Sequence, residues 1–162
     1  MKKVGLIMGS DSDLPIVEKA VAILKELGIE YEAHIYSAHR TPKEVDEFTS
    51  SAYENGFGAI IAFAGMAAHL AGAVAARTVL PVIGVPCKSS NLDGLDALLS
   101  TVQMPTGIPV ATVAINGGAN AALLAAQIIG VSNQTIYEKL KNKRELDAQK
   151  VLKKDADLIG KI

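Results

Sequence analysis

The sequence predicts an α/β fold, a flavodoxin-like three-layer sandwich around a parallel sheet of about five strands, with a C-terminal helix beyond it. Short β-rich runs alternate with helical patterns five times along the 162 residues, as successive βαβ units require. Four of the five strand-like runs are nearly unbroken apolar stretches, which suits strands covered by helices on both faces. Polar, small-residue segments follow the strands, where open parallel sheets bind their ligands.

The first strand is expected over 3–9, KVGLIMG, and the first helix over 14–28, stopped by Gly28. Ile16, Val17, Ala20, Ile23, Leu24 and Leu27 recur there at helical spacing. YEAHIYS (31–37) is the second strand; its polar residues place it nearer an edge. A second helix is expected over 41–56, a third strand over 58–65 and an alanine-rich helix over 67–78. LPVIGVP (80–86) and IPVATVAI (108–115) are the fourth and fifth strands, and 91–102 and 118–130 their helices. Residues 138–162 carry eight Lys or Arg and five Asp or Glu. They read as a solvated helix with one face docked on the body or on a neighbouring subunit. With no repeat or linker, the chain is read as one domain, an α/β core over 1–130 and a helical extension over 131–162.

Composition narrows the function classes. A formal net charge of −1 gives no electrostatic reason to bind nucleic acid or an anionic membrane. No apolar run reaches membrane-spanning length, and the first is too short for a signal peptide. The lone cysteine, Cys87, excludes an internal disulfide and fits a reducing cytoplasm. A hydrophobic fraction of 49% is high for a small monomer and points to subunit contacts.

Four segments could carry chemistry. MGSDSDLP (8–15) offers the hydroxyls of Ser10 and Ser12 and a helix start whose N–H groups attract anions. Asp13 could accept hydrogen bonds from a ribose, although Ser and Asp are equally ordinary helix caps. SAHRTP (37–42) offers Ser37 and Arg40 for a phosphate, and His39, a residue type that titrates near neutrality and can move protons. It also reads as a plain helix start, with Pro42 in the first turn. AGMAAHLAG (64–72) allows close approach of a ligand and carries His69, which could equally be structural. CKSSNLDG (87–94) is polar enough for a lid or a subunit contact. His34, His39 and His69 show no metal-ligand spacing, and no G-x-S-x-G elbow is present. Together the segments suggest a phosphorylated small-molecule substrate with proton transfer by His39.

Over about residues 4–130, MGSDSD, SAHRTP, AAHLAG, PVIGVP, DGLDALLSTVQMPTGIPVATVAI and NAALLAAQI resemble, in order, the PurE family of purine (IMP) biosynthesis. The likeness is to its bacterial-type, class I branch. It implies a flavodoxin-like fold and a homo-octamer with active sites near subunit junctions. It also implies a mutase that moves the carboxylate of N5-carboxyaminoimidazole ribonucleotide from the exocyclic nitrogen to C4, with no metal, nucleotide or organic cofactor. His39 matches the family's catalytic histidine, and Ser10, Asp13 and Arg40 its nucleotide-binding residues. Ser12 and Ser37 match as additional phosphate contacts, and His69 borders the site. The family usually has glycine where Phe63 and Met66 stand and proline at Ala71, which leaves the shape of the expected CO2 pocket open.

Two rivals remain at this stage. An animal branch of the family carboxylates aminoimidazole ribonucleotide directly with CO2, but carries lysine where this chain has Arg40. A non-catalytic flavin- or nucleotide-binding module is also compatible with the fold alone.

Overall fold

The computed structural model describes residues 1–159. Five parallel strands, β1 (Lys3–Met8), β2 (Tyr31–Ile35), β3 (Phe57–Gly65), β4 (Val82–Cys87) and β5 (Ala111–Thr112), form one sheet in the order β2-β1-β3-β4-β5. Between them run α1 (Leu14–Leu27), α2 (Pro42–Ser50), α3 (Leu70–Ala75) and α4 (Leu95–Val102). After β5 come α5 (Gly118–Gly130) and the 26-residue α6 (Gln134–Ile159).

Period-two alternation divides the core. Leu6, Met8, Ile61, Phe63, Ile83 and Val85 face α1 and α5. On the other face, Ile7, Ile60, Ala62 and Val82 meet α2 and α3. Hence the central strands read as unbroken apolar runs, with both faces dry. Gly118 lets α5 lie against α1, since a Cβ there would overlap the Ile16 carbonyl. The polar β2 lies at the edge, as its composition indicates. Its His34 bonds Glu32 at 2.9 Å and stacks on Tyr36.

Several elements are shorter than the pattern suggests. The second helix ends at Ser50 rather than residue 56, where the hydroxyls of Ser50 and Ser51 donate back to the Asp46 and Glu47 carbonyls at 2.8 Å. The third spans Leu70–Ala75 rather than 67–78, because Met66 takes a left-handed turn with φ 56° ahead of it. The expected helix over 91–102 opens as a separate 3-10 turn, Leu92–Gly94, broken from α4 by positive φ at Leu92, Asp93 and Gly94. The fifth strand pairs only at Ala111 and Thr112 instead of over 108–115; Pro109 lacks an N–H, though the chain keeps bonds from Val113 to Gly84 and from Asn116 to Pro86.

The C-terminal helix starts at Gln134, earlier than the charge-rich stretch, behind a cap from the Asn133 side chain to the Ile136 amide. Its first turns dock through Ile136, Leu140 and a 2.7 Å bond from Lys139 to the Leu27 carbonyl at the end of α1. Residues 160–162 of the expected extension lie outside the described residues. Among the described residues, no helix is long and apolar enough to cross a membrane.

Candidate active site

Strand order reverses between β1 and β3, and a parallel sheet opens a crevice outside the carboxyl ends of its strands at such a point. A cleft of about 640 Å³ lies there, a size that suits a nucleotide. The loops after β1, β2, β3 and β4 all reach it.

The β1 loop is a 3-10 turn, Asp11–Asp13, leading directly into α1. Ser10 closes it, its Oγ accepting from the Ser12 amide at 3.3 Å. The Asp13 and Leu14 amides are also consumed inside this turn. Three amides at this helix start, those of Ser12, Asp13 and Leu14, are therefore engaged within the turn, and Pro15 has none to offer. The β2 loop is knotted on itself. Thr41 Oγ1 accepts from the Ser37 amide at 2.8 Å and donates to the Ser37 carbonyl at 3.2 Å. Arg40 is tied across the switch point by a 2.8 Å bond to the Gly9 carbonyl and approaches Ser37 Oγ with Nε at 3.5 Å. So SAHRTP is a helix start and a cleft-lining loop at once.

The decisive contact joins the second and third loops. His39 Nε2 and His69 Nδ1 lie 2.9 Å apart, with their rings nearly perpendicular, 79° between planes. One of the two nitrogens donates and the other accepts along that line, the roles being set by the tautomers of the two rings. Nothing in the spacing of 39 and 69 announced this contact.

Asp13 is the acidic residue of the cleft and is only 7% exposed. Burial pushes its carboxyl above the usual value, opposed by the neighbouring Cys87 thiol and by the Ser10 backbone. Burial, reinforced by the Asp13 charge, drives the Cys87 thiol strongly upward. That keeps it protonated, a packing group rather than a nucleophile. Among the described residues no three His, Cys, Asp or Glu side chains gather as a metal site.

All seven residues singled out in the sequence, Ser10, Ser12, Asp13, Ser37, His39, Arg40 and His69, line this one cleft. Of the three departures from the PurE pattern, only Met66 borders it. Phe63 is wholly buried on β3 between β1 and β4, and Ala71 lies on the buried face of α3.

With this geometry in place, comparison with known proteins is direct. The model of the AIR carboxylase family matches residues 3–150. The chain belongs to that family. An N5-carboxyaminoimidazole ribonucleotide mutase of Thermotoga maritima is 56% identical over 95% of this chain and 90% of its own length. One from Pyrococcus horikoshii is 60% identical over 85% of this chain and 78% of its own. Among solved structures, Treponema denticola PurE superposes with a TM-score of 0.89 at 35% identity, covering 98% of this chain and 99% of that one. The AIR carboxylase fold thus includes the edge strand and the C-terminal helix.

Proposed function

We propose that this chain is an N5-carboxyaminoimidazole ribonucleotide mutase of de novo purine biosynthesis, an isomerase that moves a carboxylate from the exocyclic nitrogen to C4 of the imidazole. The family membership and the mutase relatives support the reaction. The observation that carries the site assignment is the His39–His69 contact at the mouth of a cleft lined with serine hydroxyls and Arg40.

The chemistry needs an acid and then a base. Protonated His39 donates to the exocyclic nitrogen as its bond to the carboxyl carbon breaks, releasing CO2 and the aminoimidazole. C4 attacks the retained CO2, and neutral His39 removes the proton from the tetrahedral C4, restoring both aromaticity and its own starting state. His69, hydrogen-bonded to Nε2, fixes the ring and shares its proton. Retention of CO2 in the cleft supplies an effective concentration that bulk solution does not. Ser10, Ser12, Ser37 and Arg40 hold the phosphate, and Asp13 takes the ribose hydroxyls. No cofactor enters these steps.

His39, Arg40 and His69 are exposed in the single chain, and closure of the cleft falls to neighbouring subunits of a homo-octamer. Exposed Leu92 in the turn before α4 and Leu95, Leu99 and Val102 along it, with Val79 and Val131 elsewhere, support such contacts. A cytoplasmic location accords with the reduced, buried Cys87.

The test supplies purified protein with N5-carboxyaminoimidazole ribonucleotide in the absence of bicarbonate. Turnover is expected for the wild type and lost in His39→Asn, with nucleotide binding retained. Turnover only of aminoimidazole ribonucleotide with added CO2 overturns the mutase in favour of direct carboxylation.

A further inference from the structure

We infer that Lys88 is a further substrate-binding residue, one that meets the migrating carboxylate and is held in reserve between turnovers by Asp93. The inference rests on the mutase reading and deepens it. Among the described residues lining the cleft, Arg40 and Lys88 carry the standing positive charges. The substrate brings a phosphate and a carboxylate, and Arg40 is anchored at the β1–β2 end by the Gly9 carbonyl and Ser37. Lys88 follows β4, on the far side of β3 from β1. Two inter-strand steps separate β4 from β1, about 10 Å, so the two cations serve opposite ends of one ligand. Arg40 suits the phosphate and Lys88 the carboxyl end.

The main chain of Lys88 is fixed while its side chain is not. Its amide donates to Asn116 Oδ1 at 2.8 Å, which moors the end of β4 to the loop before α5. Its Nζ lies 2.8 Å from Asp93 Oδ1 in a pair whose side chains are 55% and 82% exposed. Solvent weakens such a pair, so an incoming carboxylate exchanges with it readily. The loop is built to make this contact. Leu92, Asp93 and Gly94 have φ of 56°, 52° and 90°, and a Cβ at Gly94 would come within 3.2 Å of Lys88 Cα and 2.9 Å of Ile115. Glycine therefore allows the chain to fold back tightly, and two strained neighbours bring the Asp93 carboxylate over the ammonium. Two non-glycine residues in the left-handed region are costly for a surface ion pair that contributes little stability. They are intelligible in a loop that must present, and then release, a charge.

The experiment compares Lys88→Met, Lys88→Arg and Asp93→Asn with the wild type. For Lys88→Met, KM for N5-carboxyaminoimidazole ribonucleotide and Kd for 4-carboxyaminoimidazole ribonucleotide should each rise about tenfold, as loss of a charge-assisted bond implies. Kd for uncarboxylated aminoimidazole ribonucleotide should stay within about twofold, and Lys88→Arg should recover most of the loss. Asp93→Asn, which frees the ammonium, should lower KM by about twofold. Unchanged binding of the carboxylated nucleotides in Lys88→Met overturns the assignment. Equal weakening of carboxylated and uncarboxylated nucleotides also overturns it, by making Lys88 a phosphate ligand. Wild-type turnover and its loss in His39→Asn are read in the same assay. A failure of Lys88 is thereby separated from a failure of the mutase reading.

Discussion

In the middle of the sheet, Leu6, Ile61 and Ile83 lie in register on β1, β3 and β4 with no exposed surface. A few residues further along the same strands, the chain reaches Gly9, Met66 and Lys88, all partly or largely exposed. The central residues obey one rule, apolar contact on both faces. Those at the rim obey none of the usual ones. All four non-glycine residues with positive φ among the described residues, Met66, Leu92, Asp93 and Asn116, fall in loops after β3, β4 and β5. The buried acid and both exposed imidazoles of the cleft lie at the same rim, in the loops after β1, β2 and β3. The difference teaches a division of labour. Regular packing at the centre over-determines the loops, which lets the rim hold strained backbone and one buried carboxyl.

The strongest test of that division is a change at the rim that leaves the centre intact. His39→Asn should lower kcat about a thousandfold, within the span of general acid–base contributions. Its melting temperature should stay near that of the wild type, because the His39 side chain is exposed. A collapse in stability comparable to a core mutation would show that the rim is part of the fold's support. The reverse change is Ile61→Ala, which removes a fully buried side chain at the centre of the sheet. About 3 kcal/mol of stability should be lost, which lowers the melting temperature by about 10 °C in a chain of this length. Well below that temperature, KM should not move.

The two regions also differed in legibility. The centre was plain in the sequence, because continuous apolar runs bounded by glycine have one economical reading; α5 occupies the very residues expected, 118–130. Where Ser50 and Ser51 turn their hydroxyls back on the helix, or Pro109 denies β5 an N–H, periodicity alone overstated the length. At the rim, residue types were legible and contacts were not. His39 and His69 stand 30 positions apart, and their 2.9 Å bond depends on how two loops from neighbouring regions of the sheet converge. Asp13 read as a cap or a ribose ligand, while its burial beside Cys87 follows only from the pairing of β1, β3 and β4.

Asp13 gives a subtler comparison, since it belongs to the rim by position and to the interior by burial. Its carboxyl is pushed above the usual 3.8 mainly by burial. Below that pH the folded and unfolded chains are both protonated, and the residue is neutral toward folding. As pH rises, the unfolded chain ionises first, so stability falls until the pH passes the raised folded value and then levels off. Asp13→Asn removes this loss. The variant should therefore melt above the wild type at neutral pH, with a gap that closes on acidification toward pH 3.8. The gain should be smaller than the loss at Ile61, and nucleotide binding should weaken about tenfold. A gap that did not depend on pH would mean that the ionised carboxyl is not what the fold resists.

The smallest effect isolates backbone strain from chemistry. Met66 has φ 56° and is 62% exposed, so its side chain has little packing to lose. The PurE pattern usually has glycine there, and the left-handed backbone supplies a physical reason. A left-handed residue with a Cβ costs about 1–2 kcal/mol, whereas glycine's extra freedom in the unfolded chain costs about 0.5–1 kcal/mol. Met66→Gly should therefore stabilise the protein by about 0.5 kcal/mol, resolvable in a denaturant midpoint. If Met66 is only a strained residue, kcat and KM remain unchanged. If kcat falls while stability rises, the methionine also covers the cleft beside His69, and the strain is kept for the shape it gives the site.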